Sequence, residues 1–219
     1  MSTNNMERRL SAIMSTDVKD FARLMRDDET ATVRTLTVYR EVMGGLINQY
    51  YGRVVDAPGD NLLAEFTSVF NAVRCAVAVQ DEFRYRNDEL PHYRKMAFSI
   101  GINLGDILVE GDRIYGDGVN IAARLKDLAE PGGICISRAI YDQVEDKLTF
   151  EYQYLGRKAL KNIHKPVPVF KVLTGREKTS QQLVFERNGR LPGQGFISGF
   201  FEKWSRRSDG MKLFGPSLG

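Results

Sequence analysis

Three aspartates stand where this sequence changes from strand to turn, and that placement suits metal or phosphate chemistry. Residues 53–66 (RVVDAPGDNLLAEF) read as two short apolar runs joined by a tight turn, hence a β-hairpin. Pro58-Gly59 makes the turn, because proline presets one dihedral and glycine accepts the positive φ after it. Asp60 is then held at the tip of the hairpin and Asp56 just before it. Upstream, Asp17 follows the apolar run RLSAIMS at 9–15. If that first strand and the hairpin are sheet neighbours, Asp17 and Asp60 meet at one edge. Two carboxylates with backbone oxygens would suit magnesium or manganese together with substrate phosphates. The plainer alternative is a helix cap and a turn aspartate, both common, and position alone leaves the two open.

The hydrophobic pattern around these positions predicts an α+β layout. Residues 9–15 form a short strand, and Asp20 is a helix cap just beyond it. Val33, Leu36, Tyr39, Met43, Leu46 and Ile47 recur at helical spacing, so a long helix buries one face. After the hairpin, residues 69–86 form a second amphipathic helix. Residues 96–103 and 107–109 alternate as two strands about the turn Leu104-Gly105-Asp106. Residues 115–128 form a third helix, ended by Pro131-Gly132-Gly133. A short strand at 134–136, a helix capped by Ser137 running to about Val144, and strands near 148–155 and 168–173 complete the layout. The opening order β-α-β-β-α-β is the split βαβ of a ferredoxin-like layer, helices packed on an antiparallel sheet, with extra C-terminal strands. Such a fold hosts many activities and names none.

Length and composition fit one packed domain, residues 1–175, followed by a tail, 176–219. Cys75 and Cys135 lie in apolar company and read as small buried hydrophobes of a reducing compartment. His92 and His164 are too far apart in sequence to suggest a zinc site. With no signal peptide and no apolar run of membrane-spanning length, the expectation is a cytoplasmic protein. Beyond Gly175 eight Lys and Arg face four acids, whereas the chain as a whole carries +3, so the body is near neutral. That balance argues against a nucleic-acid surface on the body. The tail is glycine-broken, with Phe196, Phe200, Phe201 and Trp204 beside Lys203, Arg206 and Arg207. Packing on the body or on a partner subunit is the favoured reading for it, ahead of contact with a membrane surface.

The stretches RRLSAIMSTDVKDFARLM, GRVVDAPGDNLLAEF, SIGINLGDILVEGDRIYGDGVNIAARLKDLAEPGGICIS and LGRKALKNIHKPVPVFKV resemble, in that order, a class III nucleotidyl cyclase catalytic domain. The resemblance covers roughly residues 7–173. It implies that Asp17 in STDVKDF and Asp60 in PGDN bind two divalent cations, Mg2+ or Mn2+, with the Val18 backbone oxygen as a further ligand. It implies that Asn120 and Arg124 in GVNIAARL orient the ribose and stabilise the transition state, and that Lys161 in LKNI binds the triphosphate. Four residues apart on a helix, Asn120 and Arg124 share a face. The family's reaction is attack of the ribose 3′-oxygen on the α-phosphorus with loss of pyrophosphate. In-line displacement of this kind spreads negative charge that a planar guanidinium can meet, and no side-chain general base is evident. In the family the aspartates and the Asn/Arg pair come from opposite protomers, so the resemblance implies a homodimer with two composite sites.

One departure bears on the base. Adenylate cyclases of this pattern carry a lysine three residues before the GD and an acid or threonine seven before the asparagine. Here those positions are Asp56 and Arg113. Asp56 only accepts hydrogen bonds and Arg113 only donates them. Uracil and guanine, each with a ring N–H beside a carbonyl, match that pair; adenine and cytosine are not excluded by it. Tyr50 and Tyr51 precede the hairpin, and bulk from Tyr50 in the base pocket would favour a one-ring base. The chain thus most resembles the pyrimidine cyclases of bacterial anti-phage, Pycsar-type systems. The expectation is a uridylate cyclase making 3′,5′-cyclic UMP from UTP for a separate effector. A cytidylate cyclase, then a guanylate or adenylate cyclase, are the alternatives, and an inactive nucleotide-sensing dimerisation domain is the non-enzymatic one.

Overall fold

The computed structural model describes residues 6–174. In chain order the elements are β1 (Glu7–Val18), α1 (Phe21–Asp27), α2 (Glu29–Gln49), β2 (Gly52–Asp56), β3 (Leu62–Phe66), α3 (Val69–Asp88), β4 (Phe98–Glu110), β5 (Arg113–Tyr115), α4 (Asp117–Leu128), β6 (Ile134–Ser137), α5 (Arg138–Val144), β7 (Glu151–Lys158) and β8 (Val167–Leu173). The strands make one mixed sheet in the order β2-β3-β1-β4-β6-β8-β7, with β5 paired to β4. The expected β-α-β-β-α-β core is present as β1 to β4 with α2 and α3, extended by β6, β8 and β7. The tail, 176–219, lies outside the described residues, as do the expectations placed on it.

Alternation along β1 divides the core between the two faces of the sheet. Ala12 and Met14 join Leu36, Tyr39, Met43, Val73 and Phe83 in the large cluster beneath α2 and α3. Ile13 turns the other way, into a smaller cluster with Ile107, Ile114 and Ala122 beneath α4. Beside that second cluster Val55, Leu63, Val109 and Val119 stay only partly buried.

The structure departs from the sequence expectation at four places. β1 is much longer than the short strand expected, because all of it, Glu7 to Val18, pairs with β4. That pairing carries β4 straight through Leu104-Gly105-Asp106, where a turn was expected; the chain reverses at Gly111 instead, with φ 59°. Residues 113–115 then pair with Leu108–Glu110, so α4 starts at Asp117 rather than at Tyr115. Asp20 and Ser137 occupy N-cap positions without making a side-chain cap bond. The cap of the long helix is Asp28, which accepts from the Ala31 amide at 2.9 Å.

α4 packs on β4 almost backbone to backbone. A Cβ on Gly101 of β4 would lie 2.2 Å from both the Ala122 carbonyl and the Lys126 amide. Asn103 adds a buried bond from its Nδ2 to the Gly118 carbonyl at 3.1 Å. Ser99 donates to the carbonyls of Ala129 and Glu130 just past the helix end. Gly101→Ala is therefore expected to destabilise the protein by roughly 1–3 kcal/mol or more, since the obstacle is backbone. Gly45→Ala, in the C-terminal part of α2 with nothing within 4 Å of the new methyl, is expected to stabilise by about 0.5–1 kcal/mol. Urea unfolding of the two variants checks both signs.

Candidate functional site

Antiparallel pairing of β1 with β3 (Thr16 opposite Leu62) puts Asp17 and the 57–61 turn at one end of the sheet. Gly59 takes φ 57° in that turn, the left-handed conformation expected of it. Three main-chain carbonyls of the turn, those of Ala57, Gly59 and Asn61, accept from a single Nη2 of Arg40 on α2. The helix layer thus holds the turn that presents Asp60.

Between the two aspartate segments sits Lys126 of α4, only 7% exposed. Its ammonium lies 3.0 Å from Asp17 Oδ2 and 2.9 Å from Asn61 Oδ1. Asn61 in turn lies beside Asp60, its Nδ2 3.4 Å from Asp60 Oδ1. The other oxygen of Asp17, Oδ1, is buried and has no hydrogen-bond partner. Val18 closes β1 beside it. A buried carboxylate oxygen without a donor, next to a turn aspartate, fits a hard divalent cation. Asp17 and Asp60 form no group of three or more His, Cys, Asp or Glu among the described residues, so any such ion would rely on main-chain and substrate oxygens as well.

The remaining predicted residues lie elsewhere. α4 runs antiparallel to β4, so Asn120, near its start, lies toward the opposite end of the sheet from Asp17. Asn120 is exposed, and Arg124, half-exposed, donates to Asp127 at 3.2 Å. At about 100° per residue both side chains lie well round the helix from Lys126. Lys161, also exposed, follows β7 in the connection to β8, again at the end away from Asp17. One chain therefore carries two sets of predicted site residues: Asp17 with Asp60 at one end, Asn120 and Lys161 toward the other.

Asp56 and Arg113 are both exposed and near enough for their charges to interact. The Arg113 guanidinium, charged at any accessible pH, is raised further from its ordinary value, first by its hydrogen bond to Tyr115 and the charge interaction with it and then by the charge of Asp56. The underlying support is a carboxylate that the sequence does not single out. Glu65 of β3, 4% exposed, accepts from Ser11 at 2.7 Å, from Arg9 and from Arg53. Arg53 then reaches on with Nη1 to the carbonyl of Asp112, the residue before Arg113, at 3.3 Å. Tyr50 takes no part in this. It packs with the large core on the helix side, with Arg74 of α3 5.8 Å from its ring, and burial pushes its phenol up. The expected bulk in a base pocket beside Asp56 and Arg113 therefore finds no support in its placement.

Lys126, Arg40 and Glu65 are the site-shaping residues that sequence reasoning did not single out. Cys75 and Cys135 are buried free thiols, and burial pushes them up to about 12 and about 11. No helix among the described residues is long and apolar enough to cross a membrane.

Glu65 also sets a pH dependence. Burial alone would push its carboxyl up, but the bonds from Ser11, Arg9 and Arg53 outweigh burial and hold it below the usual range. The stabilisation is then fully present above the unfolded carboxyl range and is lost as pH falls through the lower folded value. Wild type is expected to exceed Glu65→Gln by roughly 1–3 kcal/mol at pH 7. The gap should narrow below about pH 4, as urea unfolding between pH 3 and 7 would record.

Residues 6–175 match the family model described as the adenylate and guanylate cyclase catalytic domain. The chain is 40% identical over 171 residues to a protein of Rhizobium meliloti named "Putative adenylate cyclase 3", covering 78% of this chain and 29% of that protein's length. Among solved structures, an adenylate/guanylate cyclase/hydrolase from Silicibacter pomeroyi is similar at TM-score 0.73 and 37% identity, over 77% of this chain and 99% of that one. The adenylyl cyclase CyaB from P. aeruginosa shares the fold at TM-score 0.70 and 22% identity, over 80% and 99% of the two chains.

Proposed function

The chain belongs to the adenylate and guanylate cyclase catalytic domain family, and on that premise we propose that it cyclises a nucleoside triphosphate whose base presents an imide edge, UTP foremost. The observation that carries the base assignment is the exposed pair of Asp56, an acceptor, and Arg113, a donor, on strands that the Arg53 bond to the Asp112 carbonyl ties together. Uracil and guanine share the ring N–H and carbonyl that such a pair complements, and a polar site rejects a base that leaves its groups unpaired. A second reading, ATP, is favoured by the name of the Rhizobium meliloti relative. The cyclic nucleotide would be a diffusible signal for a separate effector, as in the anti-phage systems that the sequence resembles.

In this reading Asn120 orients the ribose so that its 3′-oxygen faces the α-phosphorus. Arg124 releases Asp127 and meets the charge that spreads over the phosphoryl oxygens as pyrophosphate leaves. Lys161 gives the triphosphate a mobile point charge. Asp17, Asp60 and the Val18 carbonyl would hold two divalent cations, Mg2+ or Mn2+, whose chemistry is to acidify the 3′-hydroxyl and neutralise the triphosphate. The separation of these residues within one chain supports a homodimer, in which the aspartates of one protomer meet the Asn120, Arg124 and Lys161 of its partner. The partly buried Val55, Leu63, Val109 and Val119 beside α4 offer apolar surface for such a contact.

Incubation with each of the four NTPs and Mn2+ is expected to give cyclic UMP. Cyclic GMP alone would keep the imide reading and change the ring, and cyclic AMP alone would sink it. Arg124→Ala is expected to lower kcat by on the order of 100-fold or more. Mixing the inactive Asp17→Ala and Arg124→Ala chains should restore part of the activity, because one composite site of the mixed dimer is intact. No recovery in a verified mixed dimer would remove the shared-site geometry.

A further inference from the structure

Resting on that cyclase reading, we propose that in the nucleotide-free protein the Lys126 ammonium stands in one of the two cation positions at Asp17, leaving the chain a single divalent site. The ammonium lies 3.0 Å from Asp17 Oδ2, 2.9 Å from Asn61 Oδ1 and 3.6 Å from Asp127 Oδ1. Its side chain is 9% exposed, against 20% for Asp17. A lysine this buried is held by its partners, and withdrawing it from Asp17 would leave the ammonium with only the longer 3.6 Å pair to the more exposed Asp127 in a poorly hydrated place.

A carboxylate that serves two divalent ions does so most readily by giving an oxygen to each. Asp17 has only Oδ1 to give, and that atom is the one without a donor. Lys126 also joins Asp17 to the turn carrying Asp60 through Asn61, so the metal end keeps its geometry with no divalent ion bound. Lys126 is thus a positioning residue with two effects. It organises the metal end, and it lowers the attraction of that end for free divalent ions. The second ion then has to arrive with the triphosphate, whose charges can replace what Asp17 withholds.

The test is Mn2+ binding to the nucleotide-free full chain, measured by calorimetry and by the spin-resonance signal of free Mn2+. Wild type is expected to take up at most one Mn2+ per chain. Lys126→Met should bind Mn2+ on the order of tenfold more tightly and take a second equivalent, since a competing unit charge a few ångströms away is gone. Lys126→Arg, which keeps the charge, should resemble wild type. Should Lys126→Met not fold, Lys126→Gln, which keeps an amide for Asn61, carries the same comparison. Two ions on the wild type, or unchanged or weaker Mn2+ binding by the neutral variant, would overturn the inference. NTP turnover by wild type separates the two readings. Turnover with unaltered Mn2+ binding sinks this inference alone, and no turnover of any NTP with tightened Mn2+ binding sinks the cyclase reading alone.

Discussion

The close seating of α4 on β4 is the constraint on which most of the site depends. Only a residue without a side chain at Gly101 lets the helix backbone come down onto the strand. At that depth Lys126, on the inner side of the helix, reaches across to Asp17 on β1, while Asn120 and Arg124 stay on the accessible side. With α4 about an ångström higher, the ammonium would pass out of hydrogen-bonding range of Asp17 and Asn61, now 3.0 and 2.9 Å away. One packing contact therefore sets both the electrostatics around Asp17 and the presentation of Asn120 and Arg124.

Much of the architecture was legible because local signals and tertiary demands agree. The hairpin at 53–66 and the helix ending at Leu128 each carry their own punctuation, Pro58-Gly59 and Pro131-Gly132-Gly133, and the helix expected at 69–86 shows in its apolar periodicity. The misreadings fall where pairing overrode punctuation. Leu104-Gly105-Asp106 looks like a turn, yet twelve consecutive pairings with β1 hold it extended. Asp20 and Ser137 look like caps, and their side chains make no cap bond.

The site divides in the same way. Asp17 and Asp60 can be placed together from strand adjacency, and Asn120 and Arg124 on one face from helical spacing. Lys126 cannot, because in RLKDLAE a lysine looks like a solvated charge and only the depth of packing reveals it as buried. Glu65 is similar: within LLAEF its type suggests a strand-edge charge, and its role depends on Arg9 and Arg53 converging from two other strands. Arg40 looks like one more charge on the long helix, and its grip on three carbonyls depends on where the turn lands.

Unlike Lys126 and Glu65, Asp56 and Arg113 are exposed. The groups that fix their backbone, Glu65 and Arg53, are distinct from the two side chains that would read a base. Replacing an exposed side chain usually changes stability by no more than about 0.5 kcal/mol. Under the proposed reading of these two side chains, a lineage carrying this scaffold would exchange one nucleobase for another in a couple of mutational steps without disturbing the fold. On that reading base preference would change at little cost in stability, and relatives with nearly identical cores need not share a substrate.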